Sequence, residues 1–143
     1  MTTGPEPSPA PLSQDAISEL LKFVPVLESP HFIAGEWLGG QTDADGVMHM
    51  PWFELSADAQ AFVSTLGKGG WVFVFDWMSW ANDARQMIET GGLESADLLT
   101  LRKLLALLVR RDRFVEGSLG EAFESGLVLR ILYRLRAIGA SET

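Results

Sequence analysis

Cysteine is absent from the 143 residues, which excludes disulfides, thiolate metal sites and cysteine nucleophiles together. Imidazole is scarce, with His31 and His49 the only two. Neither lies in the glycine-flanked serine context of a hydrolase triad, so each is expected as a surface or satisfied buried side chain. No apolar run approaches the roughly 18 residues of a membrane span; the longest covers residues 104–109. The opening MTTGPEPSPAP has neither the basic patch nor the apolar segment of a secretion signal. A cytoplasmic protein is expected, with no membrane contact, no metal and no cofactor.

Positive charge is missing from most of the chain. Residues 1–100 hold 14 Asp and Glu against Lys22, Lys68 and Arg85, a balance of −11. Residues 101–143 hold eight Lys and Arg against five acids, a balance of +3, and the whole carries −8. A net negative field disfavours general nucleic-acid binding. The two parts are expected to attract each other within one fold, although a local basic face can still exist.

What is present suits one domain. A chain of this length buries roughly 70% of its unfolded surface without covalent staples, and 47% hydrophobic with 21% charged residues is ordinary globular composition. Pro5, Pro7, Pro9 and Pro11 mark residues 1–12 as a disordered tail. Residues 13–139 are expected to form the domain, and 140–143 a flexible end. Ser13 caps a helix carrying Ile17, Leu20, Leu21 and Val24 on one face, which Pro25 ends or kinks. FIAGEW and MPWFEL are possible short strands around a loop at 39–46. Ser56 opens a helix stopped by Gly67, while WVFVF at 71–75 is too short to separate strand from buried turn.

Asp76 then caps a helix presenting Trp77, Trp80, Ala81, Ala84, Met87 and Ile88 on one side, stopped by Gly91 and Gly92. Ser95 caps a leucine helix to about Asp112 that is apolar nearly all round, hence central or half-buried in a partner. Ser118-Leu119-Gly120-Glu121 is a capping box, Gly126 breaks the chain, and residues 127–138 form a final amphipathic helix. The expected fold is mainly α, a compact bundle of about five to six helices with two or three short strands in residues 32–75.

Asp76, Trp77 and Trp80, followed by Arg110, Arg111, Asp112, Arg113, Phe114, Glu116, Gly117 and Leu119, form Asp-Trp-x-x-Trp and Arg-x-Asp-Arg-Phe-x-Glu-Gly-x-Leu patterns. With the Gly-Glu-Trp at 35–37, they resemble a bacterial domain family of unknown function across about residues 14–137. The chain departs from that pattern at Met78, where proline is expected, and at Val115, where cysteine is expected. The resemblance implies a bacterial single domain and carries no activity.

Five constellations bear on function. Residues 118–138 read as a helix-turn-helix with Gly126 at the turn, Ala122 four residues before it, and Leu127, Leu132 and Leu135 packing the helices together. Arg130, Arg134 and Arg136, with Tyr133, would face a DNA groove; Glu121 and Ser125 stand where that motif prefers apolar residues, and ordinary helix packing shares the remaining features. Asp112, Arg113 and Glu116, with Asp76 elsewhere, are the candidate polar site. Carboxylates four apart share a helical face, yet Arg110, Arg111 and Arg113 around them make ion pairing at a helix end the economical account.

All five tryptophans and five of the eight phenylalanines lie between residues 32 and 80, beside six acids and one lysine. Trp37, Trp77 and Trp80 are the candidate aromatic surface for a cationic ligand or basic peptide, against a core role. Asp43-Ala44-Asp45-Gly46 with Glu54 imitates part of a calcium loop, but its glycine is at the fourth place and Val47 replaces a ligand. Gly67-Lys68-Gly69-Gly70 lacks the spacing of a phosphate loop.

No coherent catalytic set emerges. The expectation is a non-enzymatic, macromolecule-binding domain whose partner is a protein, either a basic one meeting the acidic aromatic part or a second copy meeting the leucine helix. The alternatives are a DNA-binding regulator using residues 118–138 and a small-molecule-binding or enzymatic domain around Asp76, Arg113 and Glu116.

Overall fold

The structure is a computed structural model and describes residues 10–141. Ser13 accepts the Ala16 amide at 3.0 Å and starts α1 (Gln14–Leu21). Pro25 does not end the helical region. It sits in the first turn of α2 (Val24–Glu28), where a missing N–H costs nothing because that turn has no acceptor for it. The two expected strands form β1 (Gly35–Leu38) and β2 (Trp52–Leu55), an antiparallel pair with Glu36 opposite Glu54 and Trp37 opposite Phe53. Ser56 caps α3 (Ala57–Lys68) through the Ala59 amide, and the helix runs through Gly67 to a cap at Gly69.

Residues 71–75 form neither strand nor helix. Asp76 caps α4 (Trp77–Thr90), which Gly91 ends at φ 84°. The next helix departs from expectation at its start. Ser95 lies in a 3-10 turn (Gly92–Ser95), and Asp97 caps α5 (Leu98–Arg111) by accepting the Thr100 amide at 2.8 Å. The capping box at 118–121 is likewise replaced. Gly117, at φ 87°, takes the cap position of α6 (Ser118–Glu124), and Asp112 accepts the Leu119 amide at 3.1 Å. Among the described residues the Ser118 hydroxyl is buried without a partner. Gly126, at φ 86°, turns the chain into α7 (Leu127–Ser141).

α5 buries Leu101, Leu104, Leu105, Leu107 and Leu108, each contributing about 2 kcal/mol of transfer free energy. Only Leu99 of its leucines is exposed, so the chain itself covers the face that a second copy was expected to use. α7 is equally central, packing on α1, α2, the 3-10 turn, α5 and α6 through Val128, Ile131, Leu132 and Leu135.

The expected tail and ends need two corrections. Leu12 packs against the core and the Ala10 carbonyl accepts from Arg102, so packing begins before residue 13; residues 1–9 lie outside the described residues. α7 continues through Ser141 instead of loosening at 140, and residues 142–143 lie outside.

Candidate interaction surface

The β1–β2 hairpin stands on α6 by a fit of rings to glycines. Trp37 and Phe53 pack edge to face at 5.4 Å. A Cβ on Gly120 would lie 2.5 Å from the Phe53 ring, and one on Gly117 2.7 Å from Trp37; real Cβ atoms do not approach that closely. Glu116 Oε1 accepts the Phe53 amide at 3.0 Å, satisfying an outward-facing donor of β2.

The opposite face is open. Met48, Met50 and Trp52 recur at alternate positions leading into β2, and all three are exposed. Met50 is 83% exposed and Met48 68%. Glu54 continues that row, with Glu36 directly across from it, and both carboxylates are exposed. No Lys or Arg occurs between Lys22 and Lys68. The loop is closed by Asp43, which accepts the Asp45 and Val47 amides and meets His49 Nε2 at 3.2 Å. The Val47 amide bond is the main cause holding its carboxyl below the ordinary value. This carboxylate turns inward to the loop's own backbone, and among the described residues no group of three or more His, Asp and Glu is placed to hold a metal ion.

A second feature is a cleft of about 350 Å³ lined by Phe73, Phe75, Trp80, Leu99, Lys103 and the polar side chains of Asp76, Ser79 and Asp83. Lys103 Nζ lies 4.6 Å from the Trp80 ring centre and 5.4 Å from that of Phe75. Trp80, one of the aromatic faces expected to hold an external cation, therefore holds one from the chain itself.

The candidate aromatic surface divides. Trp37, 57% exposed, belongs to the hairpin. Trp77 is half-buried against Phe114 at 5.9 Å, and Trp80 belongs to the cleft. The candidate polar site also divides, because its carboxylates serve the backbone. Asp76 holds the Ser79 hydroxyl and amide, which lowers its pKa; Asp112 caps α6 and Glu116 braces β2. The ion pairing expected at the end of α5 is replaced by these amide bonds, and Arg113 stands exposed in the following turn.

The candidate DNA-contacting arginines are engaged within the chain. Arg130 pairs with Glu94 at 2.7 Å, Arg134 donates to the Ala96 carbonyl at 2.8 Å, and Arg136 lies over the Tyr133 ring. Arg130 and Arg134 thus staple α7 to the α4–α5 connection. One functional-looking residue escaped the sequence reading. Arg102 is only 5% exposed and donates to the carbonyls of Ala10 and Gly70 at 2.8 and 2.9 Å. An arginine inside an otherwise leucine-rich helix is the signal that marks it.

The architecture defines a class: a mainly α-helical domain bearing a small antiparallel hairpin. A family model described as a family of unknown function (DUF6508) matches residues 12–141, and the chain belongs to that family. No curated protein and no solved structure matches the chain.

Proposed function

We propose that the domain is a non-enzymatic protein-interaction module whose hairpin receives a basic segment of a partner protein. The supporting observation is the open hairpin face, where Met48, Met50 and Trp52 adjoin the cross-strand carboxylates of Glu36 and Glu54. Single exposed apolar residues are common, but a contiguous apolar patch rimmed by one charge is the usual form of a docking surface. Like charges directly opposite on a sheet repel, and a partner's Lys or Arg between Glu36 and Glu54 relieves that repulsion. Trp and Met provide the adaptable contact area beside it. The carboxylates first considered for chemistry, Asp76, Asp112 and Glu116, are each bonded to a backbone amide, and the Ser79 hydroxyl and amide hold the Asp76 carboxyl below its ordinary value.

The test places a photocrosslinking amino acid at position 50 of the full chain in cells. The expected result is a discrete adduct to a Lys- or Arg-rich segment, lost in the Glu36→Gln/Glu54→Gln variant while circular dichroism is unchanged. Absence of an adduct, or one indifferent to the double substitution, refutes the reading.

A further inference from the structure

The cleft at Trp80 has three walls, and helical spacing sets two of them. Asp76, Ser79, Trp80 and Asp83 fall three or four positions apart along the start of α4 and share one face. Leu99 and Lys103 stand one turn apart on α5. Phe73 and Phe75, their rings stacked at 5.0 Å, form the third wall. A cleft of about 350 Å³ with apolar walls and a few converging polar groups has the form of a small-molecule site.

Its two free charges are opposite and unmatched. Asp83 makes no hydrogen bond or ion pair among the described residues. Lys103 Nζ rests on the Trp80 and Phe75 rings, yet among the described residues its donors meet no acceptor. Ring faces attract an ammonium but do not satisfy its hydrogen bonds as a carboxylate does. The neighbouring anions are already engaged. Asp76 holds Ser79, and Asp97, which feels the Lys103 charge, caps α5. Asp83 and Lys103 therefore line one cleft from two helices without bonding each other.

We propose that this cleft binds a small zwitterion of the amino-acid type with an apolar side chain. Its carboxylate accepts from the Lys103 ammonium, its own ammonium donates to Asp83, and its side chain lies against Phe73, Phe75 and Leu99. Both ends then make charge-assisted hydrogen bonds, the stronger kind. The same two charges reject simpler ligands. An amine without a carboxylate meets Lys103 as a like charge, and a carboxylate without an amine meets Asp76 and Asp83.

The cleft shares no residue with the open hairpin face, so the inference does not depend on the hairpin reading. Three probes of one skeleton test it by NMR titration of the full chain. They are L-phenylalanine, 2-phenylethylamine, which lacks the carboxylate, and 3-phenylpropionate, which lacks the ammonium. Each is taken to about 10 mM, because a ligand of this size makes few contacts and binds weakly. Phenylalanine should bind about tenfold or more tightly than either analogue, shifting the Trp80 indole and Lys103 side-chain signals. That pattern needs no variant to fold. Asp83→Asn should weaken phenylalanine about tenfold and leave 3-phenylpropionate no weaker. Lys103→Met should weaken phenylalanine likewise and leave 2-phenylethylamine no weaker. No binding of phenylalanine, an analogue that matches it, shifts centred away from Trp80 and Lys103, or affinity indifferent to both substitutions each overturns the proposal.

Discussion

Glu116 accepts the main-chain amide of Phe53 at 3.0 Å across 63 residues of sequence. One carboxylate in the turn after α5 thereby ties the hairpin to the helical body, next to the two glycines on which the hairpin's rings rest. The Asp-Arg-Phe-x-Glu-Gly-x-Leu segment acts as a joint: Asp112 caps α6, Phe114 meets Trp77, Glu116 braces β2, and Gly117 admits Trp37.

Removing that brace should loosen the hairpin without unfolding the domain. Glu116→Ala is expected to cost about 0.5–1.5 kcal/mol, the range of a hydrogen bond replaced in part by water. Glu116→Gln keeps an acceptor and should recover most of it. Urea unfolding gives the energy, and hydrogen exchange at the Phe53 amide should accelerate in the alanine variant alone.

Gly120→Ala poses two opposing effects. Helix propensity favours alanine by about 1 kcal/mol, whereas overpacking against a rigid ring costs about 1–3 kcal/mol. With the ring 2.5 Å from the new carbon, the clash should win and the variant should be less stable. Adding Phe53→Leu should recover stability, and a double-mutant cycle measures the coupling directly.

Arg102→Met retains much of the side-chain volume and removes the guanidinium that holds the Ala10 and Gly70 carbonyls. Both bonds are partly open to solvent, so water can replace the donor, and a loss of about 1–2 kcal/mol is expected. The sharper effect should be local, with faster proteolysis near residues 10–13 under native conditions. Unchanged cleavage there would show that Arg102 does not hold this segment.

Acid should destabilise the domain through its helix caps. Hydrogen bonds from the Thr100 side chain and then its amide hold the Asp97 carboxyl below its ordinary value of 3.8, and Ser79 does the same for Asp76. A depressed folded-state pKa means the contribution is present above the unfolded value and is lost as pH falls through the folded one. Melting temperature should therefore decline below about pH 3.8. Asp97→Asn should flatten that decline because it caps without titrating, and Asp97→Ala should cost about 1 kcal/mol at neutral pH.

Duplex DNA offers a further check. Because Arg130 and Arg134 are bonded to Glu94 and Ala96, a mixed-sequence duplex should give no anisotropy change even at low salt, where phosphate contacts are strongest. Alanine at these positions should lower the melting temperature instead. Tight, steeply salt-dependent binding would restore residues 118–138 as a reading element.

The local elements were largely legible because their signals are local. Ser13, Ser56 and Asp76 cap the helices they precede, Gly91 and Gly126 turn the chain at positive φ, and the strands overlap FIAGEW and MPWFEL. Capping failed where two candidates competed. Ser95 lost to Asp97 because a 3-10 turn intervenes, and Ser118 lost to Asp112, whose carboxylate reaches the Leu119 amide from the preceding turn. No residue pattern discloses such a choice, since it depends on where the chain bends.

By itself, the sequence determined a mainly α domain without thiol chemistry, the polarity of its two parts and the approximate helix faces, since these follow from composition and periodicity. Tertiary structure alone decided which charges are free. It bonded Arg130 and Arg134 to Glu94 and the Ala96 carbonyl, engaged Glu116 with the Phe53 amide, and buried Arg102 against the Ala10 and Gly70 carbonyls. Each outcome depends on which groups meet across tens of residues, and desolvation makes an ionic or polar group seek whatever partner the packed chain brings near.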